Sequence, residues 1–167
     1  MEGDRSSLLE KTTRLLLVAI FILSFCLISI EITFSRFLSV LVSYHYVFVV
    51  LSLALLGLGM GGLFVHRYGS RIPRGDGPLD ILVLCASLFA LSIPVTILVI
   101  LYAQRLDWIR DAYLLYGFVL FLPFFLSGVF FAVVYRMFPS IIGRTYGVDL
   151  LGAAVGSLGT VLALDLF

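Results

Sequence analysis

Five apolar stretches, each about as long as a bilayer is thick, take up most of this 167-residue chain. An α-helix rises about 1.5 Å per residue, so roughly 20 apolar residues cross a hydrocarbon core about 30 Å thick. Stretches of that length lie at 15–34 (with an apolar continuation to 42), 46–65, 81–102, 113–135 and 148–167. The fold expected is all-α: a polytopic membrane bundle of five transmembrane helices over 15–167, preceded by a charged cytoplasmic tail at 1–14. Apolar residues make up 62% of the chain, against about 45–50% in soluble domains. At this length no water-soluble core can hide that much apolar surface.

The charged start, with Arg5, Lys11 and Arg14, resembles a secretory leader, but the apolar run behind it is too long and no small-residue cleavage site follows. It reads as a membrane helix that stays attached. Basic residues set the expected orientation, because basic loops resist translocation. Eight of them (Arg5, Lys11, Arg14, Arg67, Arg71, Arg74, Arg136 and Arg144) fall on the side of the N-terminus and three (Arg36, Arg105 and Arg110) on the other. The N-terminus is therefore expected in the cytoplasm, as is the Gly/Pro-rich loop at 66–80. The loop at 103–112, with Leu106, Trp108 and Ile109, is expected to lie along the outer surface. The net charge of +1 offers no electrostatic footprint for nucleic acid, and none is expected as a partner. The expected partners are the lipid bilayer and other membrane subunits or further copies of the chain.

Few residues in the spans can carry chemistry. Cys26 and Cys85 lie inside apolar stretches without a C-x-x-C partner and read as free, inert thiols. His45 and His66 fall on opposite sides of the membrane and cannot share a metal or haem. No Ser/His/Asp set, H-E-x-x-H motif or carboxylate pair at catalytic spacing occurs. No catalytic residue, metal ligand or cofactor site is expected within these residues.

Glu31 is the costly residue of the first span, since a carboxylate in hydrocarbon must face protein or water and be paired or protonated. Helical spacing groups it with Ser24 and Ser35, which suggests a packing contact through a hydrogen bond to a neighbouring helix. A proton or substrate site, or a wet position at the outer interface, are the alternatives. Arg36 lies five residues on, too far round the helix to pair with Glu31 except by snorkelling or through another helix. In the second span Gly57, Gly59 and Gly62 formally satisfy G-x-G-x-x-G, but that dinucleotide fingerprint requires a preceding strand. Gly57 and Gly61, extended by Ala54, instead form a smooth face for close helix contact. The fifth span repeats the device with Gly152 and Gly156, and the two glycine faces are expected to meet. Asp149, one turn before Gly152, is expected to pair with Arg144. Pro94 and Pro123 fall within the third and fourth spans and should kink them.

Three of these stretches together resemble the membrane region of bacterial membrane-bound spermidine synthase-like proteins. They are E-I-T-F-S-R-F-L-S at 31–39, L-L-G-L-G-M-G-G at 55–62 and G-R-T-Y-G-V-D-L-L-G-A-A-V-G-S at 143–157. The corresponding family features are an E-V-x-W-x-R-like helix, a glycine-rich second helix and a Y-x-x-[ND]-x-x-G-A-x-x-G helix. The resemblance implies an anchor or scaffold for a cytoplasmic aminopropyltransferase domain of Rossmann-like fold. That domain and one further span would lie beyond residue 167, and no catalytic residue is carried over to this chain. A weaker likeness links residues 62–71 to the G-x-x-x-D-R-x-G-R-R loop of major facilitator transporters, with His66 in place of the acid. Two readings therefore stand beside the first: an accessory subunit of a larger membrane complex, and a small transporter or transporter fragment.

Overall fold

The computed structural model describes residues 2–41, 46–69, 77–103 and 113–166, and these are helical almost throughout. The helices are α1 (Glu2–Leu41), α2 (Tyr46–Tyr68), α3 (Gly77–Ala103), α4 (Tyr113–Met137) and α5 (Ile142–Leu166). Each is long and apolar enough to cross a membrane. The chain is a helical multi-pass membrane protein. Residues 70–76 of the 66–80 loop and 104–112 of the 103–112 loop lie outside the described residues.

The first helix begins earlier than the expected span and ends within its apolar continuation. The charged segment expected as a tail at 1–14 is, from Glu2 onward, the opening turns of α1, and the helix continues past residue 34 to Leu41. Forty residues make a rod about 60 Å long, twice the hydrocarbon thickness. An exposed ion pair between Glu10 and Arg14, 2.6 Å and one turn apart, supports the polar end. Such a pair contributes about 0.3–0.5 kcal/mol. At the break between α4 and α5 the cause is local. Phe138 precedes Pro139 and is driven out of helical geometry to φ −122°, ψ 54°. Pro139 then opens a short 3₁₀ turn, Pro139–Ile141, in which Ile141 N–H donates to the Phe138 carbonyl at 3.2 Å.

The helices fall into two compact units, Met1–Ile32 with Phe138–Phe167, and Thr33–Met137. The first is built on α1 and α5. Gly152 lies against Phe21 and Ser24, Gly156 against Phe25, and Thr160 against Ser29, so the two helices run in the same direction. In the second unit α4 is the most buried element, packed between α2 and α3. Phe124, Ser127, Val133 and Val134 of α4 are at most 1% exposed. Gly57 meets Phe124 and Gly61 meets Val129, so α2 and α4 are also parallel. Within each unit, parallel pairing of helices two or four crossings apart is what a chain threading to and fro through a bilayer requires.

The α1–α5 register also sets a depth scale. The contacts of Gly152, Gly156 and Thr160 place α5 about 130 residues ahead of α1, which brings Arg144 level with Arg14. From Arg144 to Asp165 the helix climbs about 31 Å, one hydrocarbon thickness. Arg14 and Arg144 therefore share one level of this unit, and Asp165 lies about one hydrocarbon thickness from it along α5.

Candidate functional site

The polar and glycine residues singled out by the sequence are distributed over two helix seams. In the α1–α5 seam a Cβ placed on Gly152 would lie 2.5 Å from the Phe21 carbonyl oxygen and 3.0 Å from Ser24 Cβ. One on Gly156 would lie 2.7 Å from the Phe25 carbonyl oxygen and 3.0 Å from Phe25 Cα. Only glycine lets the backbones come this close, and the contact gains dispersion energy that lipid tails do not supply. Polar bonds clasp the seam at two levels. Ser24 Oγ donates to Asp149 Oδ1 at 2.5 Å and also lies 2.8 Å from the Ile20 carbonyl, so one hydroxyl hydrogen serves two acceptors. Further along, Thr160 Oγ1 lies 2.8 Å from Ser29 Oγ and 2.7 Å from the Gly156 carbonyl.

The α2–α4 seam is built the same way. A Cβ on Gly57 would fall 2.6 Å from Phe124 Cβ and 2.9 Å from the Phe125 amide nitrogen. One on Gly61 would meet three backbone atoms, Val129 N at 2.5 Å, Phe125 O at 2.6 Å and Gly128 C at 2.7 Å. Gly128 of α4 answers from the opposite side, within 2.6 Å of the Leu58 carbonyl by the same measure. The other two glycines of the G-x-G-x-x-G string, Gly59 and Gly62, face open space. At the end of the seam Arg136 Nη1 donates to the Val65 carbonyl at 3.4 Å and lies against Gly69, so a cation satisfies a terminal carbonyl of α2.

Three expectations change. The glycine faces of the second and fifth spans do not meet each other: Gly57 and Gly61 seat on α4, Gly152 and Gly156 on α1. Asp149 is held by the hydroxyl of Ser24, whereas Arg144 is exposed. Glu31 is half-buried, and among the described residues no side chain donates to it. The register explains how that is tolerated. Glu31 sits about 25 Å along α1 from the Arg14 level, close to the far edge of a hydrocarbon core about 30 Å thick. A carboxylate at that depth is within snorkelling reach of headgroup water. Arg36 is exposed, and its carbonyl accepts the Ser39 hydroxyl at 2.8 Å.

Glu31→Leu is accordingly expected to leave the thermal unfolding midpoint in detergent unchanged or slightly raised, because no described donor loses its acceptor. A fall equivalent to more than about 1 kcal/mol would reveal a bonded carboxylate.

Among the described residues no three His, Cys, Asp or Glu side chains come together as a metal-binding group, and Cys26 and Cys85 are free thiols. Sequence reasoning missed Gly128 and Thr96. The first has a visible signal, a lone glycine inside the bulky run F-F-L-S-G-V-F-F at 124–131. The second does not, because nothing in a threonine's neighbours along the chain shows which carbonyl on another helix needs a donor. Comparison with protein-family models, curated proteins and solved structures returned no match.

Proposed function

We propose that this protein is a membrane anchor and scaffold of the spermidine synthase-like kind, holding a position in the inner membrane for other protein rather than carrying an active site of its own. The observation that supports this reading is the use made of its polar and glycine residues. Gly57, Gly61, Asp149, Gly152 and Gly156, which carry much of the family resemblance, lie in helix–helix seams, where they are engaged in packing. In a transporter the intramembrane acids and hydroxyls line a water-filled path. In this chain Ser24 closes onto Asp149, and Thr160 onto Ser29, between two helices.

The accessory-subunit reading draws on a different feature. One side of α5, with Leu150, Leu151, Val155, Leu158 and Leu162, is exposed along its length. In a bilayer that surface meets either lipid or another membrane protein.

The test is purification of the full chain from its native membrane in mild detergent. The eluate is assayed for aminopropyl transfer from decarboxylated S-adenosylmethionine to a diamine, and the co-eluting proteins are identified by mass spectrometry. Aminopropyl transfer that elutes with the chain supports the proposal. Co-elution of an unrelated membrane complex without that activity favours the accessory-subunit reading, and solute flux through the chain reconstituted alone would overturn both. Labelling of single cysteines at 75 and 104 in intact cells checks the orientation. Position 104 should react with an impermeant reagent and position 75 should not.

A further inference from the structure

A hydroxyl inside a membrane helix ordinarily bonds back to a carbonyl three or four residues earlier on its own helix. Most hydroxyls here do so: Ser52 to Phe48, Ser87 to Val83, Ser92 to Phe89 and Ser127 to Phe124, each at 2.7–2.8 Å. Thr96 of α3 departs from that habit. Its Oγ1 donates across the helix interface to the Val119 carbonyl of α4 at 3.1 Å. In an unbroken α-helix the carbonyl of residue 119 receives the N–H of residue 123, and residue 123 is proline. Pro123 has no N–H to give, so it orphans that carbonyl, and the hydroxyl from the neighbouring helix supplies the missing donor. Thr96 is 0% exposed and Pro123 is also fully buried, so water and lipid headgroups have no access to replace the bond.

The two parts of α4 that meet at this break are held differently. From Phe124 onward α4 is seated on α2 through Gly57, Gly61 and Gly128, with backbone against backbone. Before Pro123 no such glycine contact occurs among the described residues; Gly117, for example, has nothing within 4 Å of its Cβ position. We propose that Thr96 is a latch on a hinge at Pro123. With the latch made, the Val119 carbonyl is tied to α3 and α4 holds one bend. The hydroxyl has a second acceptor within reach of an ordinary rotamer change, the carbonyl of Ser92 one turn back on its own helix. Turning to it releases Val119, and the segment before Pro123 swings while the α2–α4 seam stays closed. In this way the fold provides two states of one helix without opening the glycine seam.

The test places spin labels on two exposed side chains, Phe118→Cys before the hinge and Leu63→Cys on α2, in the full chain in lipid nanodiscs with Cys26 and Cys85 replaced by alanine. The distance between the labels reports the bend. The parent should show one narrow distance population. Thr96→Val, which keeps the shape and removes the donor, should add a second population, and Thr96→Ser should restore one. Pro123→Ala returns the backbone N–H to Val119, so Thr96→Val should have no effect in that background. A single unchanged population in Thr96→Val, or a second population that persists with Pro123→Ala, overturns the proposal. If Thr96→Val alone does not fold, recovery of folded protein by added Pro123→Ala supports the latch, and failure to recover overturns it.

Discussion

Gly61→Ala should be among the most damaging single substitutions in this protein, although it adds only one methyl group. The new Cβ would sit 2.5–2.7 Å from three backbone atoms of α4, at Phe125, Gly128 and Val129. None of those is the end of a flexible side chain, so the helices themselves must separate. Separation would also open the contacts of Gly57 and Gly128, because all three glycines share one seam. Overpacking of this type costs about 1–3 kcal/mol and sometimes more, and the upper end is expected here. Gly59→Ala and Gly62→Ala supply the control. Each Cβ enters open space, and replacing a mid-helix glycine removes a penalty of about 1 kcal/mol. Thermal unfolding of the three variants in one detergent should therefore put Gly61→Ala far below the parent and the two controls at or above it. Equal behaviour of all three would mean that α2 and α4 do not make this contact.

How much of this could be read beforehand depends on the residue. Hydropathy found the five helices because a bilayer imposes one length on every crossing, and that length shows in sequence. It missed the first turns of α1, since a helix outside the hydrocarbon is polar and is held by features such as the Glu10–Arg14 pair. The glycines at 57, 61, 152 and 156 were legible as flat surfaces that need a close neighbour. Which neighbour was not legible, because smoothness carries no address; the complementing signals, Gly128 on α4 and Ser24 on α1, lie far away along the chain. Asp149 shows the limit of reasoning from sequence proximity. Arg144 is five residues away, and that offset places it about 140° round the helix, on a side that does not face α1. For Glu31 the spacing offers a stripe with Ser24 and Ser35 but no partner, and the choice between a packed and a wet carboxylate needs the neighbouring helices, where no described side chain donates to it. Along α1 it lies about 25 Å from the level of Arg14, most of one hydrocarbon thickness.

The Ser24–Asp149 clasp leads to the second large effect. Asp149→Leu should lower stability by about 1.5–3 kcal/mol, the worth of a hydrogen bond to a charged acceptor. Asp149→Asn should be nearly silent, because its amide oxygen still accepts the Ser24 hydroxyl at the same position. Ser24 is 1% exposed and also lies within hydrogen-bonding distance of the Ile20 carbonyl. Its hydroxyl therefore keeps an acceptor when Asp149 is lost, which should hold the loss nearer the lower end of that range. The two residues should then be coupled. If Asp149→Leu acts through the lost bond, it should cost clearly less in a Ser24→Ala background than in the parent, with an interaction energy of about 0.5–3 kcal/mol. Unfolding midpoints of the four proteins of that cycle, measured in one detergent, give the coupling directly. Strictly additive losses would mean that Asp149 stabilises the fold through something other than Ser24, and the clasp would lose its place in holding α1 to α5.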